Sequence, residues 1–292
     1  MTTKNILSLV VVAVILTAMF LFWDSFINFS YELNELKKTA DQTLLKDINQ
    51  IKEEIKREIL APPPLRAEKE FAQSFLTQNG VLKWTNNHRT SIGLKPLAID
   101  QQLSHAAALK INNMFQGQYF DHISPEGNGP DYWIKSAGYE YIMIGENLAL
   151  GNFENDEALV QAWIDSPGHR ANIMNERYTE IGIAVSQGIF EGRRAWLAVQ
   201  TFGLPLSACP SPDKNLKIQL ESLTVQLETL KARIDQLKQK IEASDKRDPE
   251  YNNMVDEYNM LVGQYNNIIA EFKVLVGQYN NQIADFNTCV SK

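Results

Sequence analysis

The stretch that decides the fold runs from Phe120 to Asn172 and contains nearly all of the candidate chemistry. It begins with Phe120-Asp121-His122-Ile123-Ser124-Pro125-Glu126-Gly127, continues through Gly145-Glu146-Asn147-Leu148-Ala149, and ends with Trp163-Ile164-Asp165-Ser166-Pro167-Gly168-His169-Arg170-Ala171-Asn172. Glycine and proline punctuate these segments, which is typical of turns and of the ends of secondary-structure elements. Because scaffolds display polar groups at such places, we expect His122, Glu146 and His169 to face a common cleft.

In wording and order, the three segments resemble the bacterial branch of the CAP superfamily, also called SCP-like domains. The resemblance extends from about Phe71 to Phe202. It also includes a set of shorter motifs and single residues: Asn87 and Arg89, Gly93-Leu94, Pro96-Leu97, Leu103, Tyr178-Thr179-Glu180-Ile181-Gly182 and Gln200-Thr201-Phe202-Gly203. Each motif alone is weak evidence for the family, and the resemblance depends on the number and order of the motifs. It implies an α+β fold in which helices flank a small sheet as a three-layer α-β-α sandwich.

The resemblance also implies a cavity. His122 and Glu146 match its first two residues, and in many members a second glutamate and a second histidine complete a set that can hold a divalent metal. Ser166 and Arg177 occupy those two positions here, so this chain departs from the metal-binding pattern of the family. The expected ligand cleft comprises His122, Glu146, Asn147, Ser166, His169 and Arg177.

His169 is the candidate substitute, because it lies between Ser166 and Arg177 in the chain. Two neutral imidazoles and a carboxylate, here His122, His169 and Glu146, are sufficient for zinc with an open water position. The same three residues are the candidates for catalysis. The alternative is structural: histidines in such turns often bond to the backbone, and a carboxylate can pin a loop by accepting backbone N–H bonds.

The N-terminal segment predicts a membrane anchor. Ile6–Trp23 is uncharged, and a helix of that length spans about 27 Å, just enough for a bilayer core. Lys4 and the amino terminus favour a cytoplasmic N-terminus, which places the remainder outside the cytoplasm. A cleaved signal peptide is the alternative, but the bulky Leu21-Phe22-Trp23 occupies the place where a cleavage site needs small residues. We therefore predict a single-pass protein of the cell membrane.

Four regions follow from the pattern: a transmembrane helix over residues 1–24, a stalk over 25–64, the CAP domain over 65–206 and a helical hairpin over 207–292. The stalk is predicted to be an amphipathic helix that extends to Leu60 and is ended by Pro62-Pro63-Pro64. Within the domain, the pattern predicts helices over 70–89 and 103–115, another capped by Asn155, and a short one after Ser166. A β-hairpin is expected around residues 191–194.

The last region has a different character. From Leu216 to Ile241, leucine and isoleucine alternate spacings of four and three, which is the heptad pattern of a coiled coil. Residues 244–249 break it, and an aromatic residue then recurs every seven positions from Tyr251 to Phe286. We predict two long helices folded back on each other. Cys209 and Cys289 flank them, and outside the cytoplasm a disulfide between the two is expected.

Composition restricts the partners. The net charge is −7 and no dense block of Lys or Arg is present, so we expect no binding of nucleic acid, which needs a clustered basic surface. Three hypotheses remain. The cleft binds a small apolar ligand or a cell-envelope partner; the chain is a metal-assisted hydrolase of envelope polymer or peptide; or the hairpin self-associates and the protein is architectural.

Overall fold

The computed structural model describes residues 58–291. They divide into two compact units, one made of residues 58–210 with 286–291 and the other of residues 211–285. We call them the sheet unit and the helical unit. The predicted membrane segment Ile6–Trp23 and the stalk up to residue 57 lie outside the described residues. Within residues 58–291, no helix has both the length and the apolar character that crossing a bilayer requires.

The sheet unit is built on six strands: β1 (Glu58–Leu60), β2 (Leu65–Arg66), β3 (Ala98–Ile99), β4 (Tyr141–Leu150), β5 (Glu180–Phe190) and β6 (Arg193–Pro205). Their order is β1-β4-β6-β5-β3, and β2 also pairs with β4. The three long strands are antiparallel neighbours, whereas each short strand joins in parallel. The predicted hairpin is confirmed, since β5 and β6 pair from Glu180↔Gly203 to Phe190↔Arg193.

Five helices cover the sheet: α1 (Gln78–Ser91), α2 (Gln101–Gly117), α3 (Pro130–Ser136), α4 (Asp156–Asp165) and α5 (Pro167–Ile173). Side chains of α2 and α3 pack on one face of the sheet, and those of α1 and α4 pack on the other, where α5 also contacts β4. The residues of β4 alternate between the two faces, as a pleated strand requires: Ile144 and Leu148 face α2 and α3, and Met143 and Ala149 face the opposite core. The α+β prediction is confirmed.

The predicted helix starts are only partly right. Asn155 caps α4 as expected, because its side chain accepts from the Ala158 N–H. The helix predicted over 70–89 begins later, at Gln78, where the Thr77 side chain accepts from the Gly80 N–H. Asp156 then binds both the N–H and the hydroxyl of Thr77. This contact between two helix starts, distant in sequence, determines where α1 begins.

The segment Gly145–Ala149 was predicted as a turn or element end, and this is wrong. It lies inside β4, in which all ten residues are buried. Glycine, glutamate and asparagine have low strand propensity, but pairing with β6 on one side decides the conformation. Gly145 is required for close approach: a Cβ there would lie 2.5 Å from the Tyr178 hydroxyl and 2.7 Å from Asn172 Oδ1.

The prediction that the stalk helix extends to Leu60 is also wrong for residues 58–60, the part of it that the structure describes. Residues 58–60 form β1, which pairs with Met143–Gly145 of β4. The sheet therefore includes residues that the sequence pattern assigned to the stalk, and the three prolines lie between two strands of the same sheet. Beyond them, the Arg66 guanidinium lies 5.2 Å from the centre of the Phe120 ring and 5.9 Å from that of Phe190.

The helical unit contains α6 (Lys214–Ala243) and most of α7 (Tyr251–Val290). The beginning of α6 packs on the later part of α7, through Leu216, Leu220 and Leu223 against Phe272, Val276 and Tyr279. Its end packs on the earlier part, through Ile234 and Leu237 against Leu261, Tyr265 and Ile269. The two helices thus run antiparallel, and the predicted break at 244–249 is confirmed. Coiled-coil geometry stays a prediction.

The predicted disulfide is confirmed. Cys209 and Cys289 are bonded, with their Cα atoms 5.7 Å apart, across a separation of 80 residues. Both cysteines belong to the sheet unit.

Candidate functional site

A buried imidazole–carboxylate pair lies at the outer edge of β4. His122 Nδ1 is 2.6 Å from Glu146 Oε1, and the two residues are 6% and 1% exposed. Glu146 comes from the middle of β4, and His122 follows α2. His122 Nε2 contacts the Pro62 carbonyl. Because a carbonyl can only accept, Nε2 is the donor in that contact.

A buried lysine positions His122. Lys110 of α2 is 0% exposed, and its Nζ donates to the His122 carbonyl at 2.8 Å and to the Tyr119 hydroxyl at 3.1 Å. Burial lowers the pKa of Lys110, and the charges of Glu146 and Asp121 oppose that shift. The lysine therefore compensates the buried carboxylate while holding the backbone of the histidine.

His169, the second candidate histidine, is also buried. It lies in α5 at 1% exposure, and its Nδ1 is 2.8 Å from Ser166 Oγ. Ser166 begins α5 but makes no capping bond, so its hydroxyl is available to the imidazole. Burial, and secondly the positive charge of His122, lowers the pKa of His169 to about 4. His169 is consequently neutral at pH 7.

An amide network joins these groups. Asn172 Nδ2 lies within hydrogen-bond distance of Asn147 Oδ1 (2.9 Å), the Leu60 carbonyl (3.1 Å) and the Glu146 carbonyl (3.2 Å). Asn147 Nδ2 in turn donates to the His169 carbonyl at 3.2 Å and to Gln200 Oε1 at 3.1 Å. The network fixes the backbone of both candidate residues, Glu146 and His169, to the same asparagine pair.

The loop after α5 is fixed by a buried arginine of α1. Arg89 is 1% exposed and donates to the carbonyls of Lys95, Ile173, Asn175 and Tyr178. Its guanidinium satisfies acceptors that have no partner in a regular element. The arginine noted in the sequence resemblance is thus a scaffold residue that holds the end of α5.

Residues 58–66, which we call the strap, lie over this edge of the sheet. The carbonyls of Leu60 and Pro62 contact Asn172 and His122, and Pro62 packs against Gly168, where an added Cβ would be only 2.6 Å from that of Pro62. Arg177 forms an ion pair with Glu58 of the strap at 3.4 Å. Arg177 therefore contacts the strap, whereas the other five predicted cleft residues are connected through hydrogen bonds.

Three buried polar atoms at this site have no hydrogen-bond partner: His169 Nε2, Asn172 Oδ1 and the Tyr178 hydroxyl. The last two both lie beside the Cα of Gly145. Burial raises the pKa of Tyr178, so its hydroxyl stays protonated and can donate. Unsatisfied buried groups are rare in folded proteins and call for a local explanation.

The residues present do not fit the zinc set predicted from the sequence. In residues 58–291, no group of three or more His, Cys, Asp or Glu side chains is arranged to hold one metal ion. Both ring nitrogens of His122 already have partners, and a ligand nitrogen must be free of a proton to coordinate a metal. The metal prediction for His122, Glu146 and His169 is not supported by this arrangement.

Sequence reasoning missed Asn172, Lys110 and the strap. Lys110 could have been found, because it lies three residues after Ala107 and one before Ile111 on the apolar face of α2, where a lysine is unusual. Asn172 had no such signal, since its role depends on the approach of β4. The strap was hidden because its prolines indicate a linker.

The fold and the site together define an α+β domain with a buried His–Glu pair at the sheet edge. Residues 82–201 match the model of the cysteine-rich secretory protein family, CAP. The chain therefore carries a CAP domain, as its motifs predicted.

Two curated relatives come from Bacillus subtilis. The uncharacterized protein YkwD is 42% identical over 116 residues, which is 40% of this chain and 43% of that protein. The uncharacterized membrane protein YlbC is 28% identical over 130 residues, or 44% of this chain and 37% of that protein. The chain thus spans less than half the length of either relative.

Two solved structures match a similar share of this chain. An extracellular SCP-domain protein from Bacillus anthracis is 28% identical with a TM-score of 0.37, covering 43% of this chain and 39% of that one. An outer surface protein from Borrelia burgdorferi is 20% identical with a TM-score of 0.38, covering 46% of this chain and 99% of that one.

Proposed function

We propose that this chain is a membrane-anchored, extracytoplasmic CAP-domain protein that binds a ligand at the site formed by His122, Glu146, His169 and Asn172. The observation that carries the proposal is the group of unpartnered buried atoms, His169 Nε2, Asn172 Oδ1 and the Tyr178 hydroxyl. Each leaves a buried polar group unsatisfied, at roughly 1–3 kcal/mol per group. A ligand that supplies complementary donors and acceptors would offset that cost.

The chemistry of the side chains at this site favours one of the two ligand classes left open by the sequence. Imidazole, amide and phenol groups surround the site, so a small apolar ligand would leave them unsatisfied. A cell-envelope partner with hydrogen-bonding groups matches them better. A metal-assisted hydrolase has no comparable support, because His122 has a partner at each ring nitrogen.

The predicted location remains part of the proposal. The apolar segment 6–23 supplies the anchor, and the disulfide between Cys209 and Cys289 is typical of an oxidising compartment outside the cytoplasm. The relative YlbC of B. subtilis is a membrane protein, which agrees with this location.

Native mass spectrometry of the full chain in mild detergent tests ligand binding. We expect a copurified ligand whose occupancy falls about tenfold in His169→Ala, because that change removes a polar contact worth about 1.4 kcal/mol. His105→Ala is the matched control, since His105 is exposed on α2. Equal occupancy in both variants, or no ligand in the wild type, would contradict the proposal.

A second candidate function is self-association through the helical unit. Ile218 and Val225, one heptad apart on α6, are 61% and 63% exposed, and Val274 of α7 is 60% exposed. Such exposed apolar residues suit a contact with a second copy. Sedimentation of the full chain in detergent should show a dimer or larger species that Ile218→Ser/Val225→Ser abolishes. A wild-type monomer at micromolar concentration would contradict this function.

A further inference from the structure

The strap occupies an edge of the sheet that is otherwise open. Glu58–Leu60 pairs in parallel with Met143–Gly145 of β4, and Leu65–Arg66 pairs in parallel with Ala149–Leu150. Between the two ladders, four strap residues stand opposite three residues of β4, Glu146–Leu148. The strap therefore carries one surplus residue and bulges beside the His122–Glu146 pair.

Within the bulge, the site recognises main-chain groups of the strap. Asn172 Nδ2 donates to the Leu60 carbonyl, and His122 Nε2 donates to the Pro62 carbonyl. Prolines at positions 62–64 have no N–H, so three of the four bulge residues present no backbone donor where the ladder is interrupted. Any extended segment with a proline-rich kink at this position could offer the same carbonyls.

The strap is held lightly by its side chains. All three residues of β1 are exposed, including Ile59 at 42% and Leu60 at 38%. The Glu58–Arg177 ion pair is also exposed and contributes little. Two ladders of three and two residues, with no further strand paired to their outer side within residues 58–291, can be displaced by another strand that makes the same main-chain bonds.

We propose that the β4 edge, with His122 and Asn172 as its donors, is a binding groove for an extended proline-containing peptide of a partner protein. The strap is its built-in occupant. The peptide adds to β4 as a parallel strand, a known mode of peptide recognition, and the strap must leave before it binds. This proposal rests on the proposed function and names a class of partner for the same site, but the peptide binds through His122 Nε2 and Asn172 Nδ2 and not through the three unpartnered atoms.

A labelled synthetic peptide tests the groove directly. The probe is fluorescein-Glu-Ile-Leu-Ala-Pro-Pro-Pro-Leu-Arg, the sequence of the strap, and fluorescence polarisation measures its binding to the full chain in detergent. Ile59→Pro disrupts β1 without altering β4, and we expect it to bind the peptide at least about tenfold more tightly than the wild type, because the groove is then open more of the time. Ile59→Thr retains strand propensity and should bind like the wild type.

Two further controls locate the binding. Adding Asn172→Ala to the Ile59→Pro chain should weaken binding about tenfold, whereas the exposed Asn87→Ala should not. A scrambled peptide with its prolines separated should bind less tightly. Equal affinity of wild type and Ile59→Pro, or no effect of Asn172→Ala, would overturn the groove.

Hydrogen exchange of the wild type gives a reading that does not depend on the Ile59→Pro chain folding. Saturating peptide should accelerate exchange of the strap amides at Ile59 and Leu60, and the scrambled peptide should not. Unchanged exchange overturns the proposal. If the peptide fails while native mass spectrometry still finds a ligand that depends on His169, the peptide proposal is wrong and the proposed function stands.

Discussion

The two units of the chain bury different chemistry. All buried polar or charged side chains found in residues 58–291 belong to the sheet unit: Thr85, Arg89, Lys110, His122, Ser124, Glu146, Asn147, His169, Asn172, Gln200 and Thr201. The buried residues of the helical unit are leucine, isoleucine, valine and aromatic side chains, together with Pro212. An apolar seam is sufficient to hold two helices together, whereas burying amides, imidazoles and a carboxylate is unfavourable unless each is satisfied. We therefore place the function in the sheet unit, because it is the unit that buries polar and charged side chains.

The largest expected effect comes from the disulfide, which closes a loop containing the entire helical unit. Cys209→Ser/Cys289→Ser should lower the free energy of unfolding by about 4–5 kcal/mol, the chain-entropy value for a loop of this length and an upper figure. Urea unfolding of the oxidised wild type and the double variant measures it. A difference below about 1 kcal/mol would mean that the unfolded chain gains little freedom without the bond.

Arg89→Met should come next, at about 4 kcal/mol, because it leaves several buried carbonyl groups of the sheet unit without a donor. The exposed Arg193→Met on β6 is the control and should stay within about 0.5 kcal/mol. Both are measured by urea unfolding. If both changes lowered the free energy of unfolding by a similar amount, the buried polar contacts of Arg89 would not be important for the stability of the sheet unit.

In the helical unit, Leu220→Ala should cost about 3 kcal/mol, the typical loss for a fully buried leucine. Ile218→Ala, on the exposed side of the same helix, should have a small effect. Thermal unfolding of both variants tests the apolar seam. Equal effects would contradict the packing of α6 on α7.

The last effect depends on the conditions: it is a histidine-linked pH dependence, which arises in the sheet unit because none of the four histidines lies in residues 211–285. Because the pKa of His169 falls from 6.5 to about 4 on folding, the unfolded chain binds a proton first as the pH drops. The stability contribution is complete above about pH 6.5 and is lost towards pH 4, by up to about 3 kcal/mol. Urea unfolding at pH 7, 5.5 and 4 should show a shallower loss in His169→Gln, and the exposed His105→Gln should follow the wild type.

The helical unit was the more predictable of the two. Its heptad spacing states which residues face the partner helix, and Leu216, Leu220 and Leu223 are buried as the pattern predicts. In the sheet unit, motif order identified the domain, and local rules found the Asn155 cap and the β5–β6 hairpin. These features depend on neighbours in sequence, which is why one sequence was sufficient.

For the site, the sequence predicted which residues take part but not the strand pairing that positions them. His122, Glu146 and His169 were selected by motif, but Glu146 was predicted in a turn or element end because glycine and proline punctuate the three segments. Pairing with β6 places the segment in a strand, and the pairing of β4 with β1 and β2, whose partner residues lie 85 and 84 positions earlier, has no local signal. Long-range strand pairing therefore decides the part of the site that sequence reasoning missed.

Because the strap has one surplus residue, the length of the proline run sets the register in which β1 and β2 pair with β4. Pairing of Leu60 with Gly145 and of Leu65 with Ala149 holds only if the run keeps its present length. Shortening it by one proline would either flatten the bulge and withdraw the Pro62 carbonyl from His122, or shift β2 by one residue. Because side chains alternate along a strand, that slip would turn Arg66 away from the rings of Phe120 and Phe190.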